Sequence, residues 1–198
     1  MTSMLMRGGT ATTAAFLIRQ EQASDIPARE ALLDASFGTN RNSRTCQRLR
    51  DGCGMPADGL ALSAIYDGQF VGTVRLWNVD AGGREALVLG PLAVDPSCRA
   101  LGVGAELMWH ALSAAKTLGH GAVVLLGDAP YYARFGFTPE LMLDLSLTGP
   151  FERDRLLGLE LHAGALAGAA GSIIPLAHEH PTACQPDRAT EQVLLRAA

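Results

Sequence analysis

Apolar runs and turn residues divide the first half of the chain into a strand, two helices and an antiparallel meander. A short apolar run at 16–19 precedes Ser24 and Asp25, which suit a helix N-cap, and apolar positions then continue to Phe37. A second, basic helical segment covers 41–50. Three runs rich in valine, leucine and aromatic residues follow, at 60–66, 70–77 and 85–94. An Asp-Gly pair separates the first two runs, which predicts a hairpin within the meander.

The pattern of the second half predicts one long helix between two strands. Apolar residues recur at helical spacing from Val103 to Leu118, and Gly119 stands where a C-terminal glycine cap belongs. The continuous apolar run at 122–126 is typical of a strand buried on both faces. A strand, a helix and a strand in this order imply a parallel pair with a right-handed crossover. A short helix capped by Asp128 comes next. Further strands are predicted near 137–143, 156–161 and 172–176.

Composition and charge set the number of domains and exclude several classes of protein. With 198 residues, of which 48% are apolar, the chain can bury one full core. We expect a single domain over 16–176, between a disordered lead-in at 1–15 and a polar tail at 177–198. A net charge of -4 argues against a nucleic-acid or anionic-membrane binder. The apolar windows fall short of the roughly 20 residues that span a bilayer, and the N-terminus lacks the apolar core of an export signal. A cytoplasmic protein is therefore predicted.

Cysteine and histidine usage does not indicate a metal site. The four cysteines are scattered without a Cys-x-x-Cys pair, so neither a disulfide framework nor a zinc site is indicated. His178 and His180 are clustered in the tail without a third ligand. A nucleophile elbow of the form Gly-x-Ser-x-Gly is also missing from the sequence. Candidate catalytic or ligand-binding residues must therefore be sought in other segments of the chain.

The stretch 89–104, which joins the meander to the long helix, contains the strongest candidate site. Gly90-Pro91 interrupts the last meander strand, and proline cannot donate a ladder hydrogen bond. The strand should splay there and free the main chain of Leu92 and Val94 for an extended, amide-bearing ligand. A simple edge-strand proline is the alternative interpretation.

The pattern Arg99-x-x-Gly102-x-Gly104 lies at the start of the long helix. Two residues without a Cβ let an anion approach the unpaired N–H groups of a helix N-terminus, where the helix dipole favours negative charge. The pattern lacks the Lys and Ser/Thr of a triphosphate-binding loop and the first glycine of a dinucleotide-binding loop. It therefore indicates a pyrophosphate held mostly by main-chain donors.

Two other segments contain candidate chemistry. Tyr131 and Tyr132 point about 100° apart on a helix, so at most one should face a given cleft while the other belongs to the core. A tyrosine hydroxyl beside a thioester could protonate a departing thiolate. The basic segment 41–50 could guide a phosphate or an acidic acceptor, although a solvated helix face is the favoured interpretation.

These features together resemble the GCN5-related N-acetyltransferase (GNAT) superfamily, and within it the YhbS-like group of predicted acyltransferases, over roughly 17–161. The most specific stretches are Leu-Gly-Pro-Leu-Ala-Val-Asp-Pro-Ser-Cys-Arg-Ala-Leu-Gly-Val-Gly and Leu-Leu-Gly-Asp-Ala-Pro-Tyr-Tyr-Ala-Arg-Phe-Gly-Phe. The resemblance implies an α/β (α+β) fold, with a mixed, mostly antiparallel sheet of about six to seven strands flanked by about four helices. It also implies a V-shaped opening between the fourth and fifth strands.

The resemblance further implies transfer of the acetyl group of acetyl-CoA to a primary amine by direct attack. Arg99, Gly102 and Gly104 match the family motif that grips the coenzyme A pyrophosphate. Tyr132 stands four residues before Gly136-Phe137, where family members place the tyrosine that protonates the coenzyme A thiolate. The implied coenzyme-binding residues are Leu92, Ala93, Val94, Arg99, Ala100, Leu101, Gly102, Val103, Gly104 and Ala105. No metal is expected, and the resemblance leaves open whether the chain forms a homodimer.

One departure from the family leaves the amine's base unassigned. Some members carry a glutamate on the fourth strand where this chain has Val88, so Glu85, a water or the acceptor's own environment would have to take the proton. The missing glutamate motivates a rival interpretation, a non-catalytic acyl-CoA-binding module. An acyl donor longer than acetyl, and a small-molecule or peptide acceptor, also stay open.

Overall fold

Eight strands form one sheet in the part of the chain that the computed structural model describes, residues 16–176. The predicted lead-in at 1–15 and the tail at 177–198 lie outside the described residues. The strands are β1 Leu17–Gln20, β2 Ala61–Tyr66, β3 Gln69–Ala81, β4 Glu85–Val94, β5 Ala122–Leu126, β6 Leu145–Leu147, β7 Leu156–Glu160 and β8 Gly171–Pro175.

The sheet is mixed and mostly antiparallel, as the resemblance implies. Its main path runs β1-β2-β3-β4-β5-β7, and β8 extends the far half of β3 with β6 beside it. The β4–β5 and β6–β8 pairs are parallel, and the others are antiparallel. The two short strands β6 and β8 raise the count from the expected six to seven to eight.

Four α-helices flank the sheet within the described residues, as expected. They are α1 Ile26–Phe37, α2 Thr45–Cys53, α3 Val103–Thr117 and α4 Ala129–Tyr132. Helix α2 follows a 3-10 turn at Arg41–Ser43 and continues to Cys53, so it ends three residues beyond the helical segment predicted over 41–50. Glycines with positive φ follow α1, α2 and α3, at Gly38, Gly54 and Gly119.

The sheet separates two large apolar cores, and a smaller apolar cluster lies beneath α1. Leu87 and Leu89 of β4 contribute to the core beneath α3, together with Leu107 and Ala111 of that helix. Val88, between them in the sequence, belongs to the core on the other side of the sheet, here called the second core. Because alternate residues of a strand point to opposite faces, burial of both faces explains the continuous apolar runs of β4 and β5.

One predicted strand is replaced by different structure. In place of a strand at 137–143, Thr138 forms a single bridge with Gly158, and a 3-10 turn follows at Glu140–Met142. Pro139 cannot donate to a ladder, and the Thr138 hydroxyl accepts a hydrogen bond from the Glu140 N–H at 3.0 Å. The strand of this region, β6, begins only at Leu145.

Candidate active site in the opening between two strands

The parallel strands β4 and β5 separate soon after they meet. Their pairing is confined to Leu87 with Val123 and Val88 with Val124, although β4 continues to Val94. The register between β3 and β4 also shifts next to Gly90 and Pro91, and the Trp77 indole N–H donates to the Gly90 carbonyl at 2.8 Å. The splay predicted at Gly90-Pro91 is therefore present.

The pairing of β4 with β3 fixes where the main chain of the splayed segment points. Gly72 faces Val94 in the register, and the Asp95 N–H donates to the Val71 carbonyl at 2.8 Å. This bond makes Gly72 and Val94 a non-hydrogen-bonded pair. By the alternation of an antiparallel ladder, Leu92 and Val94 turn their N–H and C=O groups away from β3 and into the opening. Ala93, between them, turns its groups towards β3.

The N-terminus of α3 forms one end of this opening. Gly102 has φ +83° and precedes the helix, and its carbonyl accepts hydrogen bonds from the N–H groups of Ala105 and Glu106 at 2.9 and 3.1 Å. The N–H groups of Val103 and Gly104 precede the first regular helical bond, as at every helix start. Arg99 is exposed and donates through Nε to the Val94 carbonyl at 3.4 Å. Ala100 and Leu101 are exposed, Val103 is buried, and Ala105 is half-buried.

A cleft of about 660 Å³ occupies the other end of the opening. Its floor is Leu89 to Leu92 of β4, and α2, α4 and the segment 150–155 form its walls. Helix α2 is held there because Leu49 and Cys53 pack into the second core and the Thr45 hydroxyl donates to the Pro150 carbonyl at 2.6 Å. The volume lies in the range of small-molecule sites.

Both tyrosines of α4 line this cleft, which corrects the expectation that only one would. The helix has a single turn, and the two rings meet edge to face with centroids 4.9 Å apart, so the cleft reaches both. The Tyr132 ring packs against Gly127, where a Cβ would come within 2.1 Å of it. A Cβ on Gly104 would lie 3.1 Å from the Tyr131 hydroxyl, so Tyr131 contacts the start of α3.

Burial controls the protonation of the titratable groups in the cleft. It raises the pKa of Tyr132 to about 12, with a smaller contribution from the neighbouring Tyr131. Burial also raises the pKa of the Cys46 thiol, which lines the cleft. Both groups therefore keep their protons at neutral pH, so Cys46 is not a thiolate nucleophile.

The carboxylates near the reacting end differ from those weighed from the sequence. Val88 is buried in the second core, and Glu85 faces Asp80 at the opposite end of β4, away from the cleft. Among the described residues that line the cleft, the carboxylates are Asp128 and Glu152, and both are exposed. The sequence offered no signal for Glu152, because the segment 150–155 reaches the cleft only through the tertiary fold.

For the basic segment 41–50, the sequence favours a solvated helix face over a role in guiding a phosphate or an acidic acceptor. Arg44 and Arg48 are exposed, in agreement with that prediction. Arg50 instead points to the β4 bulge, where its Nη1 would lie 3.2 Å from a Cβ on Gly90. No sequence signal separates Arg50 from Arg48, because both adjoin Leu49 and the contact with Gly90 arises only in the tertiary fold.

Across residues 16–176, no set of three or more His, Cys, Asp or Glu side chains is grouped as a metal site would require. The same residues include no helix with the length and apolarity needed to cross a membrane. Cys46, Cys53 and Cys98 are free thiols. His178, His180 and Cys184 lie outside the described residues.

Comparison with known proteins gives consistent matches. The model of the acetyltransferase (GNAT) family matches residues 26–137. The chain is 35% identical over 170 residues to an N-acetyltransferase named YhbS from Escherichia coli strain K12, covering 83% of this chain and 97% of that protein. It is 32% identical over 125 residues to a second N-acetyltransferase from that strain, YjhQ, covering 61% of this chain and 66% of that protein.

Solved structures agree with these matches. The crystal structure of Escherichia coli YhbS in complex with CoA superposes with a TM-score of 0.70 at 33% identity, covering 81% of this chain and 89% of that one. A GNAT acetyltransferase from Brucella melitensis in complex with acetyl-CoA gives a TM-score of 0.55 at 27% identity, covering 74% and 88%.

Proposed function

This chain belongs to the GNAT family of acetyltransferases, and we propose that it transfers the acetyl group of acetyl-CoA to a primary amine bound in the β4–β5 cleft. The observation that carries the proposal is the opening itself. Outward-turned main-chain groups at Leu92 and Val94 connect the start of α3 to a cleft lined by two tyrosines. The relatives crystallised with CoA and acetyl-CoA support this assignment.

In the proposed complex the coenzyme extends along β4. Its pyrophosphate lies at the α3 N-terminus, where the main-chain N–H groups of 102–104 and the helix dipole favour an anion. The exposed guanidinium of Arg99 adds a positive charge beside it. The amides of the pantetheine arm pair with Leu92 and Val94 as an added strand would. Ala93 contributes packing alone, because its main chain is engaged with β3.

The reaction then needs no covalent enzyme intermediate. The amine nitrogen attacks the thioester carbonyl carbon, and a main-chain N–H of the splayed strand stabilises the resulting oxyanion. When the C–S bond breaks, the sulfur accepts the phenolic proton of Tyr132, which later regains a proton from solvent. The raised pKa of Tyr132 keeps this proton in place until the thiolate forms.

The proton lost by the amine passes to water. Val88 provides no base, and Glu85 is remote from the cleft. Asp128 and Glu152 line the cleft but are exposed to solvent, so water connects them to the reacting nitrogen. The protein thus contributes mainly by positioning the two substrates and by supplying the acid.

The buried Val88 also supports a second candidate function, an acyl-CoA-binding module that does not turn over. Thiol release from acetyl-CoA across a panel of amines separates the two functions. We expect release that depends on the amine and yields one acetylated product per thiol. Tight coenzyme binding without release on any amine would favour the binding module. Repeating the panel with a longer acyl-CoA tests the breadth of the donor.

A further inference from the structure

Arg50 is a half-buried cation in the wall of the cleft, and one of its donors is buried without a partner in the described part of the chain. Its Nη2 donates to the Gln47 side-chain oxygen at 2.9 Å. Its Nε is buried and has no hydrogen-bond partner among the described residues. The ion pairs found within residues 16–176 do not include Arg50. Asp51 attracts it from the next position, but that carboxylate accepts a hydrogen bond from Gln47.

The other arginines around the cleft have partners or solvent. Arg41 binds Glu30 and Asp34, the latter at 2.8 Å. Arg44 and Arg48 are exposed and donate to main-chain carbonyls. Arg155 lies 3.8 Å from Glu152 at the exposed rim. Arg50 is thus the cleft arginine that has a buried donor without a hydrogen-bond partner among the described residues.

A guanidinium group with an open donor in a cleft favours the binding of an anion. Guanidinium stays charged in proteins, and a buried charge is costly unless an opposite charge or several hydrogen bonds compensate it. The neutral amide of Gln47 satisfies one of five N–H donors. A carboxylate or phosphate can accept two parallel bonds from the guanidinium fork.

The location of Arg50 assigns this anion to the amine rather than to the coenzyme. Arg50 reaches the bulge at Gly90, at the end of the splayed segment that is farther from α3. The proposed pyrophosphate residues Arg99, Gly102 and Gly104 do not line the cleft, whereas Arg50 does. An anion at Arg50 therefore lies beyond the thioester, on the side from which the acceptor enters.

We infer that the acceptor is a small-molecule amine that also carries an oxyanion, a carboxylate or a phosphate, which Arg50 binds. The inference rests on the proposed acetyl transfer and specifies its substrate class. Arg50 acts as a specificity-determining residue that orients the amine towards the thioester. The cleft volume of about 660 Å³ accommodates an acceptor of this size.

The test compares acceptors in matched pairs, an amino acid with its amide and an aminoalkyl phosphate with the corresponding amino alcohol. The readout is kcat/KM for thiol release at saturating acetyl-CoA. In at least one pair we expect the wild type to favour the anionic member about tenfold or more, as for a charge-assisted hydrogen bond. The pair that shows the preference identifies carboxylate or phosphate.

Arg50→Gln should abolish this preference by raising the KM of the anionic acceptor, with the KM of acetyl-CoA changed less than about twofold. Arg50→Lys keeps the charge without the fork and should retain part of the preference. Arg84→Gln is the matched control, because Arg84 lies in the β3–β4 turn outside the cleft and binds the Ala167 carbonyl. This control should keep the full preference.

Equal or better turnover of the neutral members by the wild type would overturn the inference and leave acetyl transfer intact. Retention of the anionic preference in folded Arg50→Gln would also overturn it. If no acceptor turns over, acetyl transfer fails, and calorimetry with the same pairs on the coenzyme A complex decides the inference. Anion binding that requires Arg50 would then support it, and equal binding of both members would refute it.

Discussion

Buried charges near strands β1 to β3 have partners within the protein, whereas several polar groups at the β4–β5 opening have none among the described residues. Near β1, β2 and β3, buried charges have partners: Asp25 accepts two bonds from Arg19 at 2.6 and 2.8 Å and one from the Ser63 hydroxyl at 2.9 Å. Glu21 is shared by Arg29 and Arg75. At the β4–β5 opening, main-chain groups turn outward and Arg50 keeps a buried donor unpaired.

This difference shows what each region does. Around β1 to β3, the chain supplies the partners of Asp25 and Glu21, so these charges fix the packing of α1 and its preceding turn against the sheet. Around β4 and β5, the chain provides donors and leaves the acceptors to a ligand. A buried ion pair does not by itself show added stability. Removal of one member is nevertheless destabilising, because it leaves the other charge buried without compensation. Substitutions in the two regions should therefore affect different measurements.

Gly102→Glu should have the largest effect and should act on ligand binding beyond the backbone strain that any side chain meets at φ +83°. It places bulk and negative charge where the pyrophosphate is proposed to lie, so we expect coenzyme A affinity to fall about a thousandfold in calorimetry. Gly119→Glu is the matched control, because Gly119 has a similar φ of +89° and open space around its Cβ position at the opposite end of α3. Equal loss in both variants would attribute the effect to backbone strain and refute the site.

Asp25→Asn should affect stability instead. Loss of the charge leaves the half-buried Arg19 without its counter-ion, so we expect the free energy of unfolding in urea to drop by about 3 kcal/mol. Asp34→Asn, in an exposed pair with Arg41, should cost less than about 1 kcal/mol. A comparable loss in both variants would contradict the distinction between buried and exposed pairs.

The same carboxylate gives a pH dependence. Its hydrogen bonds from Arg19, with smaller contributions from Gln22 and Ser63, hold the pKa of Asp25 well below its usual range. A lowered folded-state pKa stabilises the protein above the unfolded value of about 3.9, and this stabilisation is lost as the pH falls below it. Wild type and Asp25→Asn should therefore converge in stability under acid.

Tyr132→Phe should have the smallest effect in free energy and should act on turnover. Removal of the acid should lower kcat about a hundredfold with nearly unchanged coenzyme affinity. Tyr131→Phe is the internal control, since that hydroxyl contacts the start of α3 and should change kcat less than about threefold. A larger loss in Tyr131→Phe than in Tyr132→Phe would transfer the acid role to Tyr131.

Much of the fold could be predicted because its signals are local. The Asp67-Gly68 turn, the spacing of apolar residues in α3 and the apolar run of β5 each specify structure from neighbours in sequence. The splay at Gly90-Pro91 was readable for the same reason. The strand expected at 137–143 was wrong because Thr138 and Pro139 favour a turn, which outweighed the apolar pattern.

The acceptor side of the site could not be predicted, because it is assembled from distant segments. Arg50 becomes special only when α2 packs beside β4, and Glu152 reaches the cleft from a hundred residues further along. Both Tyr131 and Tyr132 line the cleft because it extends around a single helical turn. Such neighbourhoods follow from packing and have no counterpart in sequence spacing.

The limited pairing of β4 with β5 has a mechanical consequence. Among the described strands, the ladder between the six-stranded body of β1–β4, β6 and β8 and the β5–β7 pair consists of two residue pairs, Leu87 with Val123 and Val88 with Val124. A coenzyme arm bonded to β4 in this gap would occupy the place of a missing strand. The bound ligand would then fix the distance between β4 and β5 beyond their two paired positions. The substrate would thus stabilise the sheet for as long as it is bound.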